Sequence, residues 1–191
     1  MVFTSAGATV TANYKGHLVS GSNSGFNSNS QRKVVRTDDG KLHMVYESLN
    51  QVWYTYSTDG GATWQPEQKV DNFSTNTKSC SISQNSNIVF IVYQSDFGTG
   101  TIRAARFENG VKSWFTDVYS LSSYSYDTQP VIAAYGSDGG LVVFKPTSTS
   151  PLRARNVKCS SISCTAGTVG TDFQISYSTA NSVSPSLVYN S

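Results

Sequence analysis

Few residues in this chain are of types that do chemistry, and their spacing scatters them. Glu47 closes the alternating stretch Leu42-His43-Met44-Val45-Tyr46 and is a candidate acid or base. No carboxylate stands at a spacing that pairs with it, and a lone carboxylate at a strand end is more often a solvated loop residue. His43 alternates with Leu42 and Met44 and has no second histidine at ligand spacing, so no metal and no other cofactor is expected. Four arginines come in two close pairs, Arg103 with Arg106 and Arg153 with Arg155, inside segments that otherwise read as strands. Of the cysteines, Cys159 and Cys164 are near neighbours and Cys80 stands alone.

Composition decides which elements must position these residues. Of 191 residues 38% are hydrophobic, enough for a core, whereas 14% are charged and the formal net charge is +2, which leaves no basic field for nucleic acid. Eleven Tyr, nine Phe and three Trp among abundant Ser, Thr, Asn and Gly favour short strands with polar turns. No stretch approaches the roughly 18 apolar residues of a membrane span, and the first residues lack the basic start and apolar core of a leader peptide. Low charge, a Ser/Thr-rich surface and a close cysteine pair nevertheless fit an exported protein, so a secreted or cell-surface location is expected.

The strands repeat with the period of a four-stranded unit. Leu42–Tyr46, Ile88–Tyr93 and Leu141–Phe144 each end in an aromatic residue before a polar loop, Tyr46 to Tyr93 being 47 residues and Tyr93 to Phe144 being 51. The strands that follow begin at 52, 102 and 152, a step of 50. Shorter strands precede each unit around Val34-Val35, Ser81-Ile82, Val131-Ile132 and Ser186-Leu187, with Pro130 and Pro185 where a strand can start without losing a ladder bond. Fourth strands are expected at Glu67–Val70, Phe115–Leu121 and Phe173–Ser178.

The turn after Val52–Tyr56 reads Ser57-Thr58-Asp59-Gly60-Gly61-Ala62-Thr63-Trp64 and matches the pattern S-x-D-x-G-x-T-W at every specified position. Asp59 can accept hydrogen bonds from turn N–H groups, Gly61 permits a positive φ and Trp64 supplies an apolar anchor. This resembles the Asp-box, or bacterial-neuraminidase repeat, of sialidase-like β-propellers. The resemblance implies an all-β fold, a partial six-bladed-type propeller of four-stranded antiparallel blades. On that frame residues 1–31 are the outer strand of a preceding blade and a connector, 32–71 a blade with the Asp-box, and 72–121 a blade with the degenerate Phe107–Trp114 box. Residues 122–178 form a blade with the cysteine pair at the box position, and 179–191 hold the inner strand of a following blade. Three and a half blades close a ring poorly, so the remaining blades are expected in cis, or another copy in trans.

In the family the box is a structural turn remote from the ligand, which assigns Ser57, Asp59, Gly61, Thr63 and Trp64 to stability. A step of 50 places Trp114 as the equivalent of Trp64, both expected to be buried between blades. A step of 100 from Asp59 and Trp64 reaches Cys159 and Cys164, expected to form a disulfide, with Cys80 a buried free thiol. The family's ligand face carries the connectors and the loops from second to third strands, and there the resemblance points to Arg32, Glu47, Lys78, Gln94, Gln129 and Lys145. Arg32 stands where the family places an arginine that grips the sialic acid carboxylate, but Gln31-Arg32-Lys33-Val34 lacks that motif's aromatic residue and Pro. The resulting expectation is a non-catalytic recognition or scaffolding module for a glycan or protein ligand. The alternatives are a piece of an exo-sialidase or related glycoside hydrolase, and a purely structural repeat of a surface assembly.

Overall fold

The computed structural model of the protein describes residues 32–136, 138–160, 165–176 and 185–188. These residues form three antiparallel sheets and no helix. The first sheet pairs β1 (Val34–Arg36), β2 (Leu42–Ser48), β3 (Gln51–Ser57) and β4 (Gln68–Lys69) in chain order. The second does the same with β5 (Thr77–Asn85), β6 (Ile88–Ser95), β7 (Thr101–Glu108) and β8 (Val111–Ser120). The third runs β9 (Val131–Tyr135), β10 (Gly139–Phe144), β11 (Arg153–Cys159) and β12 (Gly167–Val169), with β13 (Phe173–Gln174) also on β11.

The second sheet lies between the other two, and its sequence shows why. β6 is apolar at nearly every position and buried throughout, as a strand covered on both faces must be. Its residues alternate between two cores. Val89, Ile91 and Tyr93 join Val45, Val52 and Tyr54 of the first sheet, whereas Ile88, Phe90 and Val92 join Val142, Phe144 and Val157 of the third. Polar groups bridge the same interfaces: Lys112 Nζ donates to the Val70 carbonyl (2.8 Å), and Arg155 donates to the Val118 carbonyl (2.7 Å).

The second and third strands lie where the alternation predicts them. The outer edge of the third sheet differs: within the described part of the expected run Phe173–Ser178, which ends at residue 176, only β13 is a strand, and β12 precedes it. The ladder breaks at Gly170-Thr171-Asp172, which brings the Asp172 carboxylate to Arg153 (2.6 Å) and within 3.8 Å of Arg155. The expected outer strand in 1–31 and Cys164 lie outside the described residues, so the Cys159–Cys164 pairing does too. Residues 185–188 are described but form no strand, and Leu187 packs on Val131, Val143 and Ala154.

The Ser57–Trp64 turn closes on itself through side chains. Asp59 accepts from the Thr63 N–H (2.8 Å) and from the Ser57 hydroxyl (2.7 Å), and the Gly61 N–H donates to Ser57 Oγ (2.9 Å). Gly61 sits at φ +97°, a conformation that a side chain would strain. The expected equivalence of the two tryptophans fails. Trp114 is 4% exposed, within β8 and against Phe90 and the backbone of Gly167, whereas Trp64 lies in the turn itself and is half-buried. Position within a strand, between two sheets, is what buries the former.

Candidate functional site

Side chains from all three sequence units converge where β1 and β5 begin and β2 ends. In β1 the buried residue is Val35, so the pleat turns Lys33 inward with it and leaves Arg32, Val34 and Arg36 exposed. The Lys33 ammonium donates to the Cys80 carbonyl, lies 3.3 Å from Cys80 Sγ and stands 3.9 Å from Glu47 Oε1. β5 is bulged between Lys78 and Ser81, and within the bulge Ser79 takes φ +53°. That conformation is strained for a residue with a side chain, and the bulge aims both polar groups of Ser79 into the cluster. Its N–H donates to Glu47 Oε1 (2.7 Å) and its hydroxyl to Asp127 Oδ1 (2.6 Å). Asp127 in turn accepts from the Gln129 N–H (3.4 Å), Gln129 also holding a positive φ of 41°.

Burial pushes the Glu47 carboxyl above its ordinary range, against the pull of Lys33 and of the Ser79 and Cys80 backbone N–H groups, while Asp127 adds to the rise. The Cys80 thiol, a buried free cysteine as expected, is pushed up to about 11 by desolvation and is not poised as a nucleophile. Nearby, Lys78 Nζ lies 4.6 Å over the Tyr124 ring. Burial raises the Tyr124 hydroxyl to about 12, the opposite of what an activated phenolate nucleophile requires. The cluster is therefore a half-buried set of mutually bonded donors and acceptors drawn from three sequence units.

Of the residues pointed to by sequence, Glu47 and Gln129 join this cluster and Lys78 borders it. Arg32 does not; the neighbouring Lys33 takes the inward place, and the alternation around Val35 was the signal for it. Gln94 has a different task. It is fully buried, its amide donating to the carbonyls of Tyr124 (2.8 Å) and Tyr126 (2.6 Å) and accepting from the Thr128 N–H (3.1 Å), so it fastens the β8–β9 connector. Lys145 is 8% exposed at the end of β10, its backbone N–H bonded to Thr128 O (3.3 Å). Ser79 and Asp127 were missed because their roles arise from a bulge and a cross-sheet hydrogen bond, neither of which local pattern shows.

The arginine pairs are committed elsewhere. Arg103, 3% exposed, is held by Asp71 (2.8 Å) and Asp117 (2.6 Å), and Arg106 pairs with Glu108 (2.9 Å). Arg153 pairs with Asp172, as the split edge of the third sheet showed. Among the described residues no group of His, Cys, Asp and Glu could hold a metal ion.

No protein-family profile matches the chain, and no curated protein matches it. Among solved structures the chain is similar to NanB with Optactamide, at 10% identity, and to a point mutant of NanB sialidase from Streptococcus pneumoniae, at 12% identity. Each comparison has a TM-score of 0.47 and covers 66% of this chain. The chain spans 20% of the length of each of those structures.

Proposed function

We propose that this chain is an Asp-box segment of a sialidase-like β-propeller, exported or displayed at a cell surface, that recognises a glycan or protein ligand without catalysis. Its three sheets would be successive blades, completed by further blades in cis or by a second copy in trans. The observation that carries the reading is the Lys33–Glu47–Ser79–Asp127 cluster, in which strained backbone aims donors and acceptors from separate sheets at one place. The Ser57–Trp64 turn, with its Ser, Asp, Gly and Thr in mutual hydrogen bonds, supports the Asp-box assignment independently of the site.

Two features favour binding over hydrolysis. Arg103, Arg106 and Arg153 are spent on ion pairs, and Arg155 donates to Val118, which leaves none of the four to grip a substrate carboxylate. The tyrosine beside the cluster, Tyr124, is raised, so it is unsuited to replace the usual carboxylate nucleophile. The test uses the purified full chain in two assays. Titration against a panel of soluble glycans should show saturable binding that weakens about 10- to 100-fold in Glu47→Gln, the loss expected when a buried charge-assisted acceptor is removed. Release of a fluorescent leaving group from an aryl sialoside should be absent. Turnover that survives removal of host enzymes and disappears in Glu47→Gln or Arg32→Ala would place the protein among the glycoside hydrolases instead.

A further inference from the structure

The β4–β5 loop carries Asn72-Phe73-Ser74, which fits the acceptor triplet for asparagine-linked glycosylation: asparagine, any residue but proline, then serine or threonine. Such triplets occur by chance, but here the surroundings add a separate observation. Asn72 is exposed, and the ring beside it is unusually open to water: Phe73 is 68% exposed. The loop fixes that ring outward, because Asp71 Oδ1 accepts the N–H groups of both Phe73 (2.8 Å) and Ser74 (3.2 Å). Phe73 and Phe115 meet with centroids 5.5 Å apart and planes at 37°, and Phe97, 50% exposed, flanks them across the Arg103 guanidinium. The rim of this patch bears the partly exposed Asp117 carboxylate and the Lys112 ammonium, 5.7 Å from the centre of the Phe115 ring.

An exposed aromatic patch of this kind ordinarily has a cover. A pyranose ring supplies one, since its C–H face is apolar and its edge carries hydroxyls for a charged rim. A sugar attached to Asn72 is tethered beside the patch. We infer that Asn72 carries an N-linked glycan whose proximal sugars lie on Phe73 and Phe115. This rests on the export part of the proposed function and not on the ligand cluster.

In the transfer, the Asn72 carboxamide nitrogen bonds to the anomeric carbon of a lipid-diphosphate-linked oligosaccharide. The bond from that carbon to the diphosphate oxygen breaks, the amide proton passes to a base of the transferase, and the lipid diphosphate leaves; nothing is oxidised or reduced. In the folded chain the Ser74 hydroxyl is engaged by Asp71 (2.8 Å) and Ser95 (2.9 Å), so the triplet must be read before the loop closes.

The test secretes the full chain from a eukaryotic host behind a cleavable leader, beside Asn72→Gln and Phe73→Ala, which keeps the triplet. Val111→Thr completes a second triplet at the exposed Asn109 and serves as an occupancy control. Site occupancy is read by mass spectrometry after enzymatic release of the glycan in heavy-oxygen water, and stability by thermal melting. The expected result is a glycan at Asn72, with a melting temperature about 2–4 °C above that of Asn72→Gln. Phe73→Ala should retain the glycan yet lose that glycan-dependent gain. An unmodified Asn72, whether or not Asn109 is modified, overturns the inference, and so does a glycan whose presence leaves melting unchanged. Neither outcome alters the glycan titration of Glu47→Gln, which tests the ligand cluster separately.

Discussion

The second sheet has two faces, and they are built from different chemistry. Towards the third sheet it presents Phe90, Ile102 and Trp114 to Val142, Phe144 and Val157, a contact whose described, fully enclosed residues are all apolar, with Tyr119 and Cys159 packed at its margin. Towards the first sheet it presents Ile91, Tyr93 and Phe107 to Val45 and Tyr54, and the free thiol Cys80 lies in the same core. The ring of Tyr54 sits 4.2 Å from Phe107 and stacks at 6.0 Å on His43, which is 2% exposed. One interface has a wholly apolar core with polar bonds such as Arg155 to the Val118 carbonyl beside it, whereas the other carries buried titratable groups within its core. The first kind should respond to cavities and the second to pH.

The largest expected effect is on the apolar side. Trp114→Ala should cost about 3–5 kcal/mol in urea unfolding, because the indole is enclosed between sheets and its cavity cannot collapse against the backbone of Gly167. Trp64→Ala, at the equivalent repeat position but half-buried, should cost roughly 1–2 kcal/mol. Equal losses for the two would erase the distinction between an indole within a strand and one on a turn.

The next effect belongs to the polar side. His43 Nδ1 lies 2.7 Å from the Tyr54 hydroxyl and Nε2 lies 3.1 Å from the Thr37 hydroxyl. Thr37 gives its proton to Asp39 (2.6 Å), so Nε2–H donates to Thr37 and Nδ1 accepts from Tyr54. Burial holds the imidazole down to about 4 from 6.5, with Asp39 opposing and Lys41 assisting. Between those values the unfolded chain binds a proton that the folded chain does not. Stability present above about pH 6.5 is therefore lost as pH falls towards 4, by on the order of 3 kcal/mol. Glu47 titrates with the opposite sign, since its raised carboxyl takes up its proton earlier in the folded state. The measurement is accordingly the difference in unfolding free energy between the protein and His43→Gln at each pH. A difference that stays flat from pH 7 to pH 4 would show that His43 is not buried neutral.

Much of this contrast was legible in the sequence, and what was not has physical causes. Apolar runs with an aromatic end placed β2, β6 and β10, because a strand must be apolar on each face that a neighbouring sheet covers, which makes β6 apolar at nearly every position. The S-x-D-x-G-x-T-W turn was readable as far as Asp59 accepting from a turn N–H and Gly61 holding a positive φ, since those features are local, but the part played by the Ser57 hydroxyl was not read. The burial of Trp114 was legible from the repeat step, but the fact that Trp64 is only half-buried was not, because the neighbouring sheet decides it. Lys33 was readable and passed over in favour of Arg32, although Val35 fixed the phase of β1. Ser79 was beyond reach, since only the β5 bulge turns it towards Glu47 and Asp127.

The smallest effect concerns whether the Ser57–Trp64 turn is self-sufficient. Ser57 is fully buried, and its hydroxyl both donates to Asp59 and accepts from the Gly61 N–H. Ser57→Ala leaves that N–H without its acceptor and removes one donor from Asp59, whose carboxyl stays held at about 2 chiefly by the Thr63 hydroxyl and N–H. The expected cost is about 1 kcal/mol by urea unfolding at pH 7. The turn lies on the first sheet, whereas Trp114 faces the third. Their effects should therefore add, with the Ser57→Ala/Trp114→Ala double variant falling within about 0.5 kcal/mol of the sum. A larger departure would mean that the turn and the apolar interface act as one unit, and that the second sheet transmits strain from one face to the other.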